Sequence, residues 1–253
     1  MKFFDDEYGG SFRGRPLLVS GNAKSGKTIA AFHFINRGLR MQERCLMLSA
    51  CPSADLIIQA DAMGMNFSEA VGNGNLILLE YSDDVPGRHS DSTITLPPDS
   101  FMQLAEVINE QAIARLVLDT CLPWVAVRSA DHLSEHVFSF IRSLDRMGVT
   151  TLLTMPRAAS LAAARLYKLV EDQVPVSISL RRSEDDENAD NILVVNKYLG
   201  MDDKVGREIP FRIVPGEGIV VSQDKPASAA PSASGGSAAG SGVSFSSAVF
   251  GDS

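Results

Sequence analysis

The sequence predicts an α/β protein with a mostly parallel central sheet, helices on both of its faces and a β-rich C-terminal part. Three observations carry this reading. Short, nearly continuous apolar runs alternate with segments of helical periodicity from about residue 10 onward, the pattern of a parallel sheet covered on both sides. A glycine-rich loop joins the first apolar run to the first helical segment. Several short β-type runs with no helical segment between them then close the folded part.

Pro16-Leu17-Leu18-Val19-Ser20, bounded by Gly14 and Gly21, reads as a buried strand. Ala31, Phe34, Ile35 and Leu39 behind it share one helical face. Cys45–Ala50 is the second strand, and Ser53 is the N-cap expected of a helix that buries Leu56, Ile57 and Ala60. Leu76–Glu80 is the third strand, followed by a polar stretch from Ser82 to Asp99 that is too long for a simple connector. Helix is expected over Phe101–Ala114, strand over Leu116–Asp119, and helix again where Leu133, Val137, Phe140, Ile141 and Leu144 recur. Val149–Thr154 is a further strand and Ala158–Val170 a helix. Val176–Arg182, Ile192–Tyr198, Phe211–Val214 and Ile219–Ser222 are the closing β segments.

Three segments follow from this: an acidic N-terminal leader over residues 1–9, one domain over 10–222, and a tail over 223–253. Every residue from Pro226 to Gly242 is Pro, Ala, Ser or Gly, a composition that buries almost nothing and is expected to be disordered. Phe245 and Phe250 return near its end, which suits a short docking peptide on a flexible tether.

Composition excludes several classes. Three cysteines in 253 residues do not make a disulfide scaffold. No 18-residue apolar run suggests a membrane span, and Met1-Lys2-Phe3-Phe4-Asp5-Asp6-Glu7 turns acidic too early for a signal peptide. A cytoplasmic protein with no membrane partner is expected. The 23 basic and 31 acidic side chains leave a formal charge of −8, which speaks against a dedicated nucleic-acid binder.

The strongest motif is Gly21-Asn22-Ala23-Lys24-Ser25-Gly26-Lys27-Thr28, a full match to G-x-x-x-x-G-K-[ST]. Its glycines let the backbone wrap an anion, and N–H groups at the following helix start point at phosphate oxygens. Lys27 would reach the β- and γ-phosphates, and the Thr28 hydroxyl would ligate Mg²⁺. The motif lies between an expected strand and an expected helix, the context such a loop requires. Arg115-Leu116-Val117-Leu118-Asp119 adds an apolar strand ending in a carboxylate, the Walker B pattern that holds the metal beside a phosphate loop.

These segments, Leu17–Phe67 and Arg115–Arg157, resemble the RecA-superfamily P-loop ATPases of the KaiC type. Carrying the resemblance are Leu18-Val19-Ser20-Gly21 through Thr28, Pro52-Ser53-Ala54-Asp55-Leu56-Ile57 with Gly64, Asp119-Thr120, and Leu144-Asp145-Arg146-Met147-Gly148-Val149 through Thr154. Lys197-Tyr198-Leu199-Gly200 and Pro210-Phe211 continue it. The resemblance implies a RecA-like P-loop NTPase domain that binds ATP and Mg²⁺, in a homo-oligomeric ring (a hexamer in the clock protein itself) with ATP between neighbours.

The departures matter as much. In active relatives a pair of glutamates follows the second strand, and one of them polarises the attacking water. By ungapped correspondence around Asp55-Leu56-Ile57 that pair falls here on Ala50-Cys51, and neither side chain is a carboxylate base. Relatives also use a Lys, and an Arg two positions on, to reach the γ-phosphate of the adjacent subunit. Lys197 keeps the first position, with a solvated surface lysine as its plainer role, and Leu199 replaces the Arg. After the sensor strand, where the family is often acidic, stand Pro156 and Arg157.

The expectation is therefore an ATP–Mg²⁺ binding protein that acts as a nucleotide-dependent assembly or signalling switch with weak or no hydrolysis, and with protein partners. Three alternatives stay open. An active RecA-like ATPase would need Glu80 to replace the missing pair as the catalytic base. A recombination mediator, resembling the Rad-type paralogues of RecA and binding single-stranded DNA, would need a basic, aromatic-lined path. Arg181-Arg182 is only a pair, and Glu184-Asp185-Asp186-Glu187 after it suits a solvated hairpin tip. An ATP-binding accessory subunit of a motor or protein complex is the third, by analogy with the H subunit of the archaellum motor. Elsewhere, Cys45, Cys51 and Cys121 lack zinc spacing, His132 and His136 enclose Glu135 without the H-E-x-x-H order, and Trp124 suits packing or a subunit contact.

Overall fold

The first elements are a helix α1 (Lys2–Tyr8), strand β1 (Pro16–Gly21), helix α2 (Lys27–Arg40), strand β2 (Cys45–Ser49), helices α3 (Ser53–Ala62) and α4 (Phe67–Gly72), and strand β3 (Leu76–Glu80). There follow α5 (Pro98–Glu110), β4 (Arg115–Asp119), α6 (Leu122–Val125), α7 (Leu133–Met147), β5 (Thr150–Pro156) and α8 (Leu161–Gln173). Strands β6 (Val176–Arg181), β7 (Asn191–Tyr198), β8 (Glu208–Val214) and β9 (Gly218–Val221) complete the order. This is a computed structural model; it describes residues 1–80, 98–125, 132–182 and 190–222. The polar stretch expected from Ser82, the acidic run at 184–187 and the tail at 223–253 lie outside the described residues.

All nine strands join one sheet in the order β3-β2-β4-β5-β1-β6-β7-β8-β9. The six strands from β3 to β6 in that order pair in parallel, and β7, β8 and β9 add on antiparallel. β1 is buried along its whole length because it has helices on both sides. Leu17 and Val19 join one core with α1, α2, α3 and α4, whereas Leu18 joins a second with α5, α6, α7 and α8. The carboxyl ends of β1, β4 and β5 meet at the centre of the sheet, where open α/β folds place their ligands.

Most strand expectations hold to within a residue or two. Helix α5 ends at Glu110 rather than Ala114 because the chain turns at Ala112, whose φ is +50°. Residues 1–9 correct the expectation of a leader set apart from the domain. They form α1, with Phe4 and Tyr8 buried. Phe4 stacks on Tyr8 at 5.2 Å between ring centroids, and Tyr198 Oη donates to the carbonyls of Tyr8 (2.5 Å) and Gly10 (2.9 Å). The i, i+4 aromatic pair, not the acidic residues, decides where this segment goes. Residues Met1–Ser222 form one unit.

The β8–β9 hairpin folds back over α2. Gly216 N–H donates to the carbonyl of Ala62 at 2.8 Å, and Ile219 N–H donates to His33 Nε2 at 2.8 Å. His33 thereby occupies a backbone donor on the edge strand, which would otherwise be free to pair with another chain. No helix among the described residues is long and apolar enough to cross a membrane.

Candidate nucleotide site

The phosphate loop is shaped by close packing under it. A Cβ at Gly21 would collide with the Leu180 carbonyl oxygen and with Ser25 Oγ, so only glycine fits where β1 meets β6. Lys24 and Gly26 take positive φ of 59° and 95°, and the loop turns through them into α2. The start of α2 carries no side-chain cap, which leaves the N–H groups of its first turn for an anion. Asn22, Ala23 and Lys24 form the outer part of the loop, with Ala23 and Lys24 exposed, while Ser25 and Gly26 are buried.

Lys27 Nζ donates to the carbonyls of Gly21 (3.0 Å) and Asn22 (2.7 Å). Burial pulls its pKa down, and the Asp119 carboxylate acts in the opposite sense. Thr28 Oγ1, one residue on, donates to Asp119 Oδ2 at 3.0 Å. The Walker A hydroxyl and Walker B carboxylate are thus brought together from opposite parts of the sequence. Ser25 Oγ is buried with no hydrogen-bond partner among the described residues. The site fits a nucleoside phosphate with Mg²⁺. It offers an uncapped helix start, a lysine held by loop carbonyls, and two hard oxygen donors of the kind Mg²⁺ takes when phosphates and waters complete its shell.

The profile of the family described as "ATPase: KaiC" matches residues 1–226. The chain belongs to the KaiC ATPase family. The circadian clock oscillator protein KaiC of Thermostichus vulcanus is 26% identical over 217 residues, which are 83% of this chain and 41% of that protein. KaiC of Parasynechococcus marenigrum is 26% identical over 212 residues, 82% of this chain and 41% of its own length. The chain therefore spans about two-fifths of the length of these curated relatives. The crystal structure of the KaiC-like protein PH0186 from Pyrococcus horikoshii OT3 superimposes with a TM-score of 0.68 at 22% identity, covering 87% of this chain and 95% of that one. The shared fold is a RecA-like P-loop domain.

The end of β2 carries no carboxylate. Ser49 lies in register with Asp119 on one side and Glu80 on the other, so Ala50 and Cys51 follow beside the strand end that carries Asp119. Ala50 carries no acid or base. The Cys51 thiol is pushed upward in pKa by burial first, then by the carboxylates of Asp55, Asp119 and Glu80, which leaves it a neutral thiol near pH 7.

The other sequence-derived candidates are placed elsewhere. Glu80 sits at the end of β3, with β2 between it and Asp119. Its Oε1 accepts Ser53 N–H at 2.7 Å at the start of α3, and that bond lowers its pKa. A general base needs the opposite shift. Lys197 is not brought to the phosphate loop of its own chain. It stands opposite Ser177, three residues along β6 from the Leu180 that pairs with Gly21. Its Nζ donates to the carbonyls of Glu171 (3.1 Å) and Asp172 (2.9 Å), in the last turn of α8.

Two contacts went unread in the sequence. Arg157 N–H donates to the Gly21 carbonyl at 2.9 Å, tying the end of β5 to the phosphate loop. Thr154 Oγ1 donates to Asp119 Oδ1 at 2.5 Å. The one available signal was a hydroxyl residue within an otherwise apolar run, Leu152-Leu153-Thr154-Met155.

Proposed function

We propose that this chain binds ATP with Mg²⁺ and works as a nucleotide-dependent assembly or signalling switch, hydrolysing ATP weakly or not at all. The observation that carries the reading is a metal pair, Thr28 and Asp119, held ready at 3.0 Å beside a strand end where Ala50 and Cys51 stand in place of a carboxylate. The loop N–H groups and Lys27 would hold the phosphates, and Thr28 with Asp119 would hold the ion. Bound Mg²⁺ would neutralise phosphate charge. Without a base to orient and deprotonate water, the chemical step loses a factor of about 10² to 10⁴. Family membership supports the second half of the reading, a ring of like subunits with nucleotide between them, and so a nucleotide-dependent mass.

The test measures nucleotide binding, phosphate release and mass in solution on the same preparation. Expected are tight binding in Mg²⁺, loss of that binding in Lys27→Ala, a larger assembly with ATP–Mg²⁺ than without, and phosphate release below about one per minute, far under typical enzyme turnover. Release of several per minute or faster that disappears in Lys27→Ala would overturn the switch reading and favour an active ATPase.

A further inference from the structure

We infer that Thr154 is a positioning residue for the metal: its hydroxyl fixes the Asp119 carboxylate in the orientation that, with Thr28, receives Mg²⁺. This rests on the ATP–Mg²⁺ reading above.

Thr154 is wholly buried in β5, next to Val19 of β1 in the sheet register. Its neighbours Leu152, Leu153 and Met155 are buried apolar residues. A hydroxyl at such a place costs stability unless it is bonded. Here the hydroxyl donates to Asp119 Oδ1 at 2.5 Å. The same residue's carbonyl accepts Thr120 Oγ1 at 3.0 Å and Cys121 N–H at 2.9 Å. Thr154 therefore grips Asp119 and the backbone just after it.

The division of labour within the carboxylate follows. Oδ1 belongs to Thr154 and Oδ2 faces Thr28. The carboxyl torsion of an aspartate is broad and roughly two-fold, so one partner hydroxyl alone would not define it. Thr28 cannot be that sole anchor, because the same hydroxyl oxygen is the expected metal ligand. Thr154 holds the carboxylate oxygen that Thr28 does not, and would set its rotation whether or not an ion is bound. Partners of this outer kind orient ligands, and their removal costs metal affinity rather than nucleotide contact.

The experiment uses the full chain and the fluorescent nucleotide N-methylanthraniloyl-ATP, titrated with Mg²⁺ at fixed nucleotide and separately with nucleotide in EDTA. Thr154→Val keeps the β-branched shape and removes only the donor. It should raise the Mg²⁺ concentration at half-saturation about 10- to 100-fold, leave metal-free nucleotide affinity unchanged, and keep a cooperative thermal transition. Thr154→Ser restores the hydroxyl and should return the Mg²⁺ dependence to near wild type. Should Thr154→Val not fold, Thr154→Cys, with its weak S–H donor, must show the same separation of metal dependence from metal-free affinity. Mg²⁺ dependence equal to wild type overturns the inference, as does a parallel fall in metal-free affinity, which would mark a merely structural residue. A wild-type chain that binds no nucleotide overturns the proposed function itself, and is told apart because it fails before any Thr154 variant is compared.

Discussion

Acid should unlatch the C-terminal hairpin through His33. The ring sits on α2, and its Nε2 accepts Ile219 N–H at 2.8 Å, a bond only the neutral imidazole can make. Burial, reinforced by the N-terminal amine and Arg40, pushes its pKa from the ordinary 6.5 down to about 4. The folded value lies below the unfolded one. The stabilising contribution is therefore complete above pH 6.5 and is lost progressively as pH falls toward 4. At about 1.4 kcal/mol for each pH unit of that interval, the loss is about 3 kcal/mol. Urea unfolding of wild type and His33→Gln between pH 4 and 7 measures it, because Gln Oε1 can accept the same N–H and does not titrate. Carboxylates common to both proteins cancel in the difference. The difference curve should change by about 3 kcal/mol, with wild type losing more. Parallel curves would refute the claim that a neutral His33 holds β9.

Two further outcomes follow from packing. Gly38 is buried in α2, and a Cβ there would lie 2.7 Å from Arg115 Nε and 2.8 Å from Cys45 Sγ. Arg115 cannot retreat freely, since it is paired with Glu43 at 2.5 Å and stacked 4.7 Å over Phe34. Gly38→Ala should therefore destabilise by about 1–2 kcal/mol despite alanine's better helix propensity, lowering the thermal midpoint by several degrees. Lys197→Ala removes the ammonium from the last carbonyls of α8 and should cost about 0.5–1 kcal/mol in urea unfolding, with nucleotide affinity unchanged. A loss of affinity at unchanged stability would instead assign Lys197 to a neighbouring subunit's phosphate.

What was legible in the sequence was local. The phosphate loop is eight consecutive residues, and the parallel strands announce themselves as unbroken apolar runs such as Leu116-Val117-Leu118. What stayed hidden depends on partners distant in the chain. Helix α4 is only six residues long, and its start is satisfied by Asp61 Oδ1 accepting from Phe67 N–H at 2.6 Å, outside any local capping pattern. Phe4 and Tyr8 looked like part of an acidic leader until Tyr198, 190 residues away, was placed against them. Glu80 is a candidate base from its place at a strand end, but parallel pairing of β2 with β3 carries it to the start of α3. Thr154 stands at the end of a run that resembles the family, but nothing local points to its contact with Asp119, 35 residues away and on another strand.

Under the proposed reading, a metal pair without a carboxylate base would separate two free energies that an active ATPase couples. A carboxylate base acts on water, so its absence would slow the chemical step by about 10² to 10⁴ and leave nucleotide affinity intact. Under the proposed reading, each filled site then stabilises the assembled state by about 2.7 kcal/mol when nucleotide stands at 100 times its Kd. Moving an equilibrium from 1:99 to 99:1 takes about 5.5 kcal/mol of differential binding. Two filled interfaces supply about that much, and a ring offers more than two. Bound ATP would persist for its dissociation time rather than a catalytic cycle. Reset would then come from nucleotide exchange or dilution, and the assembly would report nucleotide concentration, not the number of turnovers completed.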